Sequence, residues 1–261
     1  MPERIRTLLW YLKRPRLYPQ LLRVLSERFG PARSPSSDTR QDATSWCASR
    51  SVDTRRAIRE LTGSPMREPV SSMFPDIFAV ARHQAAACPV PMGGPGDLDM
   101  IYWLAETSAA TRVVETGVAY GWSSLAFLLS LRSRPGSKLI STDMPYPNLN
   151  NDRYVGCAVP AELRSQWRIL RYADRQALPR ALKELGTIDM CHYDSDKSYE
   201  GRMWAYPILW KALRRRGFLI SDDISDNIAF REFADSIAID PIVVNLGGKY
   251  IGVLAKPSVS Q

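Results

Sequence analysis

The chain has 261 residues, 45% hydrophobic and 24% charged, with a formal net charge of +8. That is room for one α/β domain with an extension, in an ordinary globular composition, so disorder throughout is excluded. The charge is uneven: residues 1–34 carry eight Arg and Lys side chains against Glu3 and Glu27, which leaves the remainder near neutral. A nucleic-acid enzyme more often carries its basic stripe beside the active site, so no nucleic-acid partner is expected. Cys47, Cys88, Cys157 and Cys191 form no CxxC pair, and the only histidines are His83 and His192. Neither a disulfide framework nor a typical zinc site is expected, and a reducing, cytoplasmic setting is. The longest early apolar run, Leu8–Leu12, is too short for a secretory signal or a membrane span.

Leu8, Leu9 and Leu12, then Leu17, Leu21, Leu22 and Leu25, recur at helical spacing among Arg and Lys. They predict two short amphipathic helices over 3–29, broken at Pro15. Residues 1–30 are thus a basic amphipathic arm. It lies on an anionic membrane surface as a peripheral contact, or it packs on the main domain or a second copy of the chain. Residues 31–52, rich in Ser, Arg, Asp and Thr, read as a linker. Residues 53–96 read as a helical lid or cap, with helices near 53–62 and 76–87 and a loop at 89–96. A further helix is expected over 97–108.

From Thr111 short apolar runs alternate with helical patterns. Strands are predicted at 112–117, 138–143, 168–172, 188–194 and 218–224, with helices near 121–133, 174–185, 200–215 and 227–238. Such alternation predicts βαβ units and a parallel sheet. The end differs: 241–246 and 249–255 flank Gly247-Gly248, a hairpin that turns the last strand antiparallel.

The run Val113-Val114-Glu115-Thr116-Gly117-Val118-Ala119-Tyr120-Gly121-Trp122-Ser123 is a strand, a glycine turn and a helix start. Ligands of open α/β sheets bind beyond the carboxyl ends of strands. Gly117 and Gly121 let backbone approach a ligand, and Ser123 suits the cap of the next helix. The spacing is ExGxxxG, not the GxGxxG of dinucleotide folds, which disfavours a nicotinamide-dependent oxidoreductase. A carboxylate at Glu115 would repel pyrophosphate but suits a ligand with ammonium and sulfonium groups. Asp143 closes the second strand, placed to accept from ribose hydroxyls. Asp174, after the third, is placed to reach an adenine amino group. Tyr120 and Trp122 flank the loop.

Strand four ends His192-Tyr193-Asp194-Ser195-Asp196-Lys197-Ser198-Tyr199-Glu200-Gly201, and strand five ends Ser221-Asp222-Asp223-Ile224. Adjacent strand ends lie ~4.8 Å apart, which would bring Asp194, Asp222 and Asp223 together. Three carboxylates in one cleft stay ionised most easily around a cation, and hard oxygen donors favour Mg²⁺, or Ca²⁺ or Mn²⁺. Asp196 is then free to take a proton. His192 on a buried strand reads as a satisfied core residue, and Trp204, Tyr206 and Trp210 read as core.

These segments resemble class I S-adenosylmethionine-dependent methyltransferases, with Glu115–Gly121 in the place of their first motif. The later segments resemble metal-dependent O-methyltransferases acting on sugars and related bacterial members that carry D-G-D-H-S-Y-E-G there. The resemblance covers roughly residues 90–256. It implies a Rossmann-like, seven-stranded, mostly parallel sheet with an antiparallel last strand, over 97–261, behind an N-terminal helical extension. It implies S-adenosylmethionine held by Glu115, Gly117, Ala119, Tyr120, Gly121, Ser123, Asp143 and Asp174. It further implies a divalent metal on Asp194, Asp222 and Asp223, Asp196 as base, and a small-molecule hydroxyl acceptor, a sugar or glycolipid favoured. The chain departs from the pattern at Ala119 and Ser195, where glycine is usual, and at Lys197, where histidine is. Lys197 is read as holding a substrate anion or supplying part of the cation's charge. A nucleic-acid methyltransferase is the alternative, disfavoured because Asp-Ser-Asp-Lys stands where base methylases carry (N/D)PP(Y/F).

Overall fold

The computed structural model describes residues 3–29 and 37–258. Helices α1 (Glu3–Leu12) and α2 (Tyr18–Phe29) are separated by a 3-10 turn at Pro15–Leu17, as the break at Pro15 predicts. Proline lacks the N–H that would continue the helix, but it suits the first position of a new turn. The arm folds back onto the domain through a small cluster of Trp10, Tyr11 and Leu17, with Leu21 and Met144 against it.

Helix α3 (Ser37–Arg50) and strand β1 (Ser51–Val52) lie where a linker is expected over 31–52, and 31–36 fall outside the described residues. The Ser, Thr, Asp and Arg content of this stretch hides its helix. Among its residues of described burial, the buried ones are Ala43 and Cys47, one turn apart, with Trp46 edge-on to Phe230 at 6.5 Å. Tertiary packing therefore decides this helix, and local propensity does not. Helices α4 (Thr54–Thr62), α5 (Val70–Met73), α6 (Pro75–Ala86) and α7 (Leu98–Thr107) follow. Asp53 caps α4 by accepting from Arg56 N at 2.9 Å, and Asp97 caps α7 by accepting from Met100 N at 2.9 Å. Both satisfy amides that would otherwise lack partners.

The sheet domain then runs β2 (Arg112–Thr116), α8 (Trp122–Leu131), β3 (Lys138–Thr142), β4 (Trp167–Leu170), α9 (Asp174–Leu185), β5 (Ile188–Tyr193), α10 (Tyr199–Ala212), β6 (Leu213–Ser221), α11 (Ala229–Ser236), β7 (Ile242–Leu246) and β8 (Lys249–Ala255). Strand order is β1-β7-β8-β6-β5-β2-β3-β4. Only β8 is antiparallel to its neighbours, β6 and β7. The expected seven strands are present, and β1 adds an eighth at the edge, parallel to β7.

Both faces of the sheet are covered, which is why its strands read as continuous apolar runs. Val113, Leu139, Met190, Phe218 and Ile220 pack on one face with residues of α7 and α8. Val114, Ile140, Cys191 and Leu219 pack on the other with residues of α9, α10 and α11. Trp210 and fully buried Tyr206 join that second core, as their helical spacing predicts. Among the described residues no helix is long and apolar enough to cross a membrane.

Candidate active site

The glycine elbow follows β2. Gly117, Ala119 and Gly121 all take positive φ, at 82°, 48° and 88°. Ala119 therefore bears the left-handed conformation with a Cβ, at the position where the resembling family uses glycine. At Gly117 a Cβ would stand 2.2 Å from the Asp194 carbonyl oxygen, so the elbow lies directly against the end of β5. Ladder bonds fix this contact: Asp194 N donates to Thr116 O at 2.9 Å, and Gly117 N to Thr142 O at 2.8 Å.

Gly121 itself is the N-cap of α8, without a side-chain cap bond, so Ser123 does not cap this helix. The neighbouring Ser124 donates to Glu115 Oε2 at 2.5 Å, and Ser141 donates to the same oxygen at 2.6 Å. Glu115 is fully buried beneath the elbow, and Ser123 stabilises the same carboxylate. Burial pushes its pKa above the ordinary carboxylate range. Glu115 thus supports the elbow from below and does not line the cleft expected for it. Tyr120 ties the elbow to the 89–96 loop: its hydroxyl accepts from Met92 N and donates to Val90 O, each at 3.3 Å.

A cleft of about 290 Å³ opens beside the elbow, lined by Gly117, Asp143, Asp174, Ser195 and Asp196, with Tyr146 at its side. Asp143 accepts from Val118 N at 3.0 Å and pairs with Arg171. Asp174, the first residue of α9, accepts from Thr142 Oγ1 at 3.2 Å and from Ser195 Oγ. Both are desolvated, which raises their pKa values, and the bonds just named oppose that rise. The arm reaches this cleft too: Gln20 and Arg23 of α2 line it, and Arg23 forms an ion pair with Asp196 at 3.3 Å. A larger cleft, about 590 Å³, lies at the opposite end of the sheet among Thr107, Arg214 and Lys256. It is remote from the strand carboxyl ends where α/β ligands bind, so the elbow cleft is the candidate site.

The acidic cluster differs from expectation. Lys197 Nζ stands 3.1 Å from Asp194 Oδ1 and is also bonded to Asp223. Burial works against this ammonium, but the two carboxylates outweigh it and hold its pKa above the usual lysine value. Asp222 turns away to His192, whose Nε2 lies 3.1 Å from Oδ1. His192 Nδ1 lies 3.9 Å from Glu115 Oε1, because the two residues are direct partners across β2 and β5. Burial opposes the imidazolium, yet Asp222 raises its pKa to about 9, and Asp222 is in turn held below its ordinary value. The three aspartates therefore do not share one cation site. Among the described residues no group of three or more His, Cys, Asp or Glu is placed to hold a metal. A divalent ion on Asp194, Asp222 and Asp223 does not fit, since an ammonium bridges two of these carboxylates and an imidazole takes the third.

His192 is thus a buried residue of the core, as expected, with Asp222 as its polar partner. Pairing it with Glu115 requires the strand register, which the sequence does not print. Sequence reasoning also misses Arg202. It is fully buried, and its Nη2 donates to the carbonyls of Asp222 at 3.1 Å and Asp223 at 2.8 Å. It holds Asp223 in a left-handed conformation, φ 51°, that presents the carboxylate to Lys197. The one signal for it in the chain is an arginine directly before the apolar run Met203–Trp210.

The fold, a mostly parallel sheet between helices with an antiparallel strand near one edge, is Rossmann-like. Residues 114–224 match the family model described as a methyltransferase domain. A comparison with curated protein sequences finds no match. Among solved structures the chain is similar to the O-methyltransferase from Bacillus cereus in complex with S-adenosylhomocysteine. The two share 16% identity at a TM-score of 0.54, over 76% of this chain and 100% of that one. It is also similar to the O-methyltransferase TomG of Streptomyces achromogenes, involved in tomaymycin synthesis and solved with S-adenosylmethionine. There the identity is 15% and the TM-score 0.54, over 71% of this chain and 93% of that one.

Proposed function

We propose that this chain transfers a methyl group from S-adenosylmethionine to a hydroxyl of a small molecule, a sugar or glycolipid being the favoured acceptor. The observation that carries the reading is the contact of the positive-φ elbow at Gly117 with the Asp194 carbonyl, beside a cleft floored by Asp143 and Asp174. That cradle fits the donor: bare backbone for its sulfonium end and carboxylates for ribose and adenine. The solved neighbours that hold the donor or its product support the same reading.

S-adenosylmethionine supplies a methyl group on a positively charged sulfur. Asp143 and Asp174 orient the nucleoside, and Gly117 borders the cleft at the reacting end. Asp196, at the cleft wall, takes the acceptor hydroxyl's proton as the new O–C bond forms and the C–S bond breaks, its electron pair staying on sulfur. Orientation of the two reactants provides much of the rate. Lys197 places positive charge beside the acceptor oxygen. Calorimetry is expected to show S-adenosylmethionine binding with NAD inert; NAD binding without the methyl donor would overturn the reading. Asp196→Asn keeps donor affinity and loses about 10²–10⁴-fold in turnover, the usual worth of a general base. Unchanged turnover in a screen of labelled donor against glycan and glycolipid pools would remove Asp196 from its role.

The arm supports a glycolipid acceptor. Leu8, Leu9, Leu12, Leu22 and Leu25 of α1 and α2 face solvent, between 38% and 66% exposed, with Arg6, Lys13 and Arg16 among them. An apolar face rimmed by basic side chains suits an anionic membrane surface. The full chain should cosediment with phosphatidylglycerol vesicles at low salt and much less with phosphatidylcholine. Leu8→Glu with Leu12→Glu should remain in the supernatant. Equal recovery with both lipids, or concentration-dependent dimers that vanish in that variant, would assign the face to a second copy.

A further inference from the structure

The acidic cluster beside the elbow carries its own cation. Lys197 Nζ is 3.1 Å from Asp194 Oδ1 and bonded to Asp223, two of the three side chains that the resemblance assigns to a metal. This placement is built from several directions. Asn227 Nδ2 donates to the Lys197 carbonyl at 2.9 Å, and Tyr193 Oη donates to the Asp196 carbonyl at 2.8 Å. Arg202 clamps the carbonyls of Asp222 and Asp223 from within the core. The third carboxylate, Asp222, is paired with His192 and crowded on its other side by Gly96, whose added Cβ would lie 2.8 Å from Oδ2. A divalent ion would have to displace the ammonium and turn Asp222 out of its buried pair. Two like charges within a few ångströms of each other repel strongly in such a setting, so ammonium and metal exclude one another.

We infer that Lys197 occupies the cation position between Asp194 and Asp223, so that this methyltransferase works without a divalent metal. The inference rests on the proposed methyl transfer for its chemical meaning, but not for its test. The lysine supplies a fixed positive charge and N–H donors toward an acceptor oxygen, a role it fills as a point charge. It undergoes no covalent change and releases no proton.

The test is titration of the full-length protein with Mn²⁺, followed by electron paramagnetic resonance of the free ion, with S-adenosylmethionine calorimetry on the same samples. Wild type should bind no Mn²⁺ saturably below millimolar concentration. Lys197→Ala should bind it at least about tenfold more tightly, and adding Asp223→Asn should remove that site. Lys197→Arg should behave like wild type, which shows that charge and not side-chain bulk excludes the ion. Saturable Mn²⁺ binding by wild type that Asp223→Asn abolishes would overturn the inference, and this holds even if Lys197→Ala fails to fold. If donor binding is intact in that outcome, only the lysine's role fails. If wild type binds no donor, the methyltransferase reading beneath it fails instead.

Discussion

Alanine at position 117 removes S-adenosylmethionine binding. Gly117 sits at φ 82°, and its added Cβ would stand 2.2 Å from the Asp194 carbonyl oxygen and 2.9 Å from the carbonyl carbon. Those atoms are backbone, fixed by the 2.9 Å bond from Asp194 N to Thr116 O, so no side-chain rotation relieves the overlap. Either the elbow or the end of β5 moves, and both border the proposed donor site. The φ penalty alone is roughly 1–2 kcal/mol for an L-residue. Gly136→Ala isolates that penalty, because Gly136 has nearly the same φ, 79°, with nothing within 4 Å of the added Cβ. Thermal melts should therefore show a clearly larger loss for Gly117→Ala than for Gly136→Ala. Calorimetry should find donor binding kept in the second variant and absent in the first. Wild-type donor affinity in folded Gly117→Ala would place the donor elsewhere.

The second large effect belongs to His192. Replacing it with glutamine strips Asp222 of its cationic partner in a buried setting, where breaking such a pair costs roughly 3–5 kcal/mol. The loss should appear as a lower denaturant midpoint with unchanged slope. Its pH dependence identifies the cause. The folded-state pKa of His192 is raised to about 9, against an unfolded value near ~6.5. The charged pair's contribution is therefore complete below ~6.5 and fades as pH rises toward 9. Asp222 is shifted the other way, so its contribution is present above its unfolded value of ~3.9 and is lost on acidification. Glu115 and Asp194 also face the imidazole and raise its pKa, so the variant must be compared with wild type at each pH. Wild type should lose stability between about pH 6.5 and 9 more steeply than His192→Gln. Parallel curves would mean that the imidazole is neutral and the pair an ordinary hydrogen bond.

Much of the molecule is legible in the amino-acid sequence. Arg112–Thr116, Lys138–Thr142, Ile188–Tyr193 and Lys249–Ala255 lie within a residue or so of their predicted spans. Strands buried on both faces write themselves as short apolar runs, and Gly247-Gly248 marks the hairpin that reverses β8. Gly117 and Gly121 announce a backbone turn because only residues without a Cβ sit there cheaply. Asp143 and Asp174 follow from being the first acids beyond their strands. The chain order of these features places them at one end of one sheet, since parallel strands share their carboxyl ends.

What stays hidden in the chain is a matter of through-space partners. Helix α3 has no amphipathic stripe to read, and its burial comes from meeting Phe230 and its surroundings. Strand alternation puts Glu115, Ser141 and His192 on one face, but only the register makes Glu115 and His192 neighbours. Three aspartates at strand ends invite a metal, and the same sequence supplies Lys197, whose Nζ position depends on the turn that Arg202 and Asn227 hold. The sequence by itself determined the layered sheet, the elbow and the row of acids above it, because these depend on periodicity and on residues without side chains. Only the tertiary structure decided which charge faces which, because a lysine or histidine can pair with any carboxylate within reach, and reach is set by the packing of distant segments.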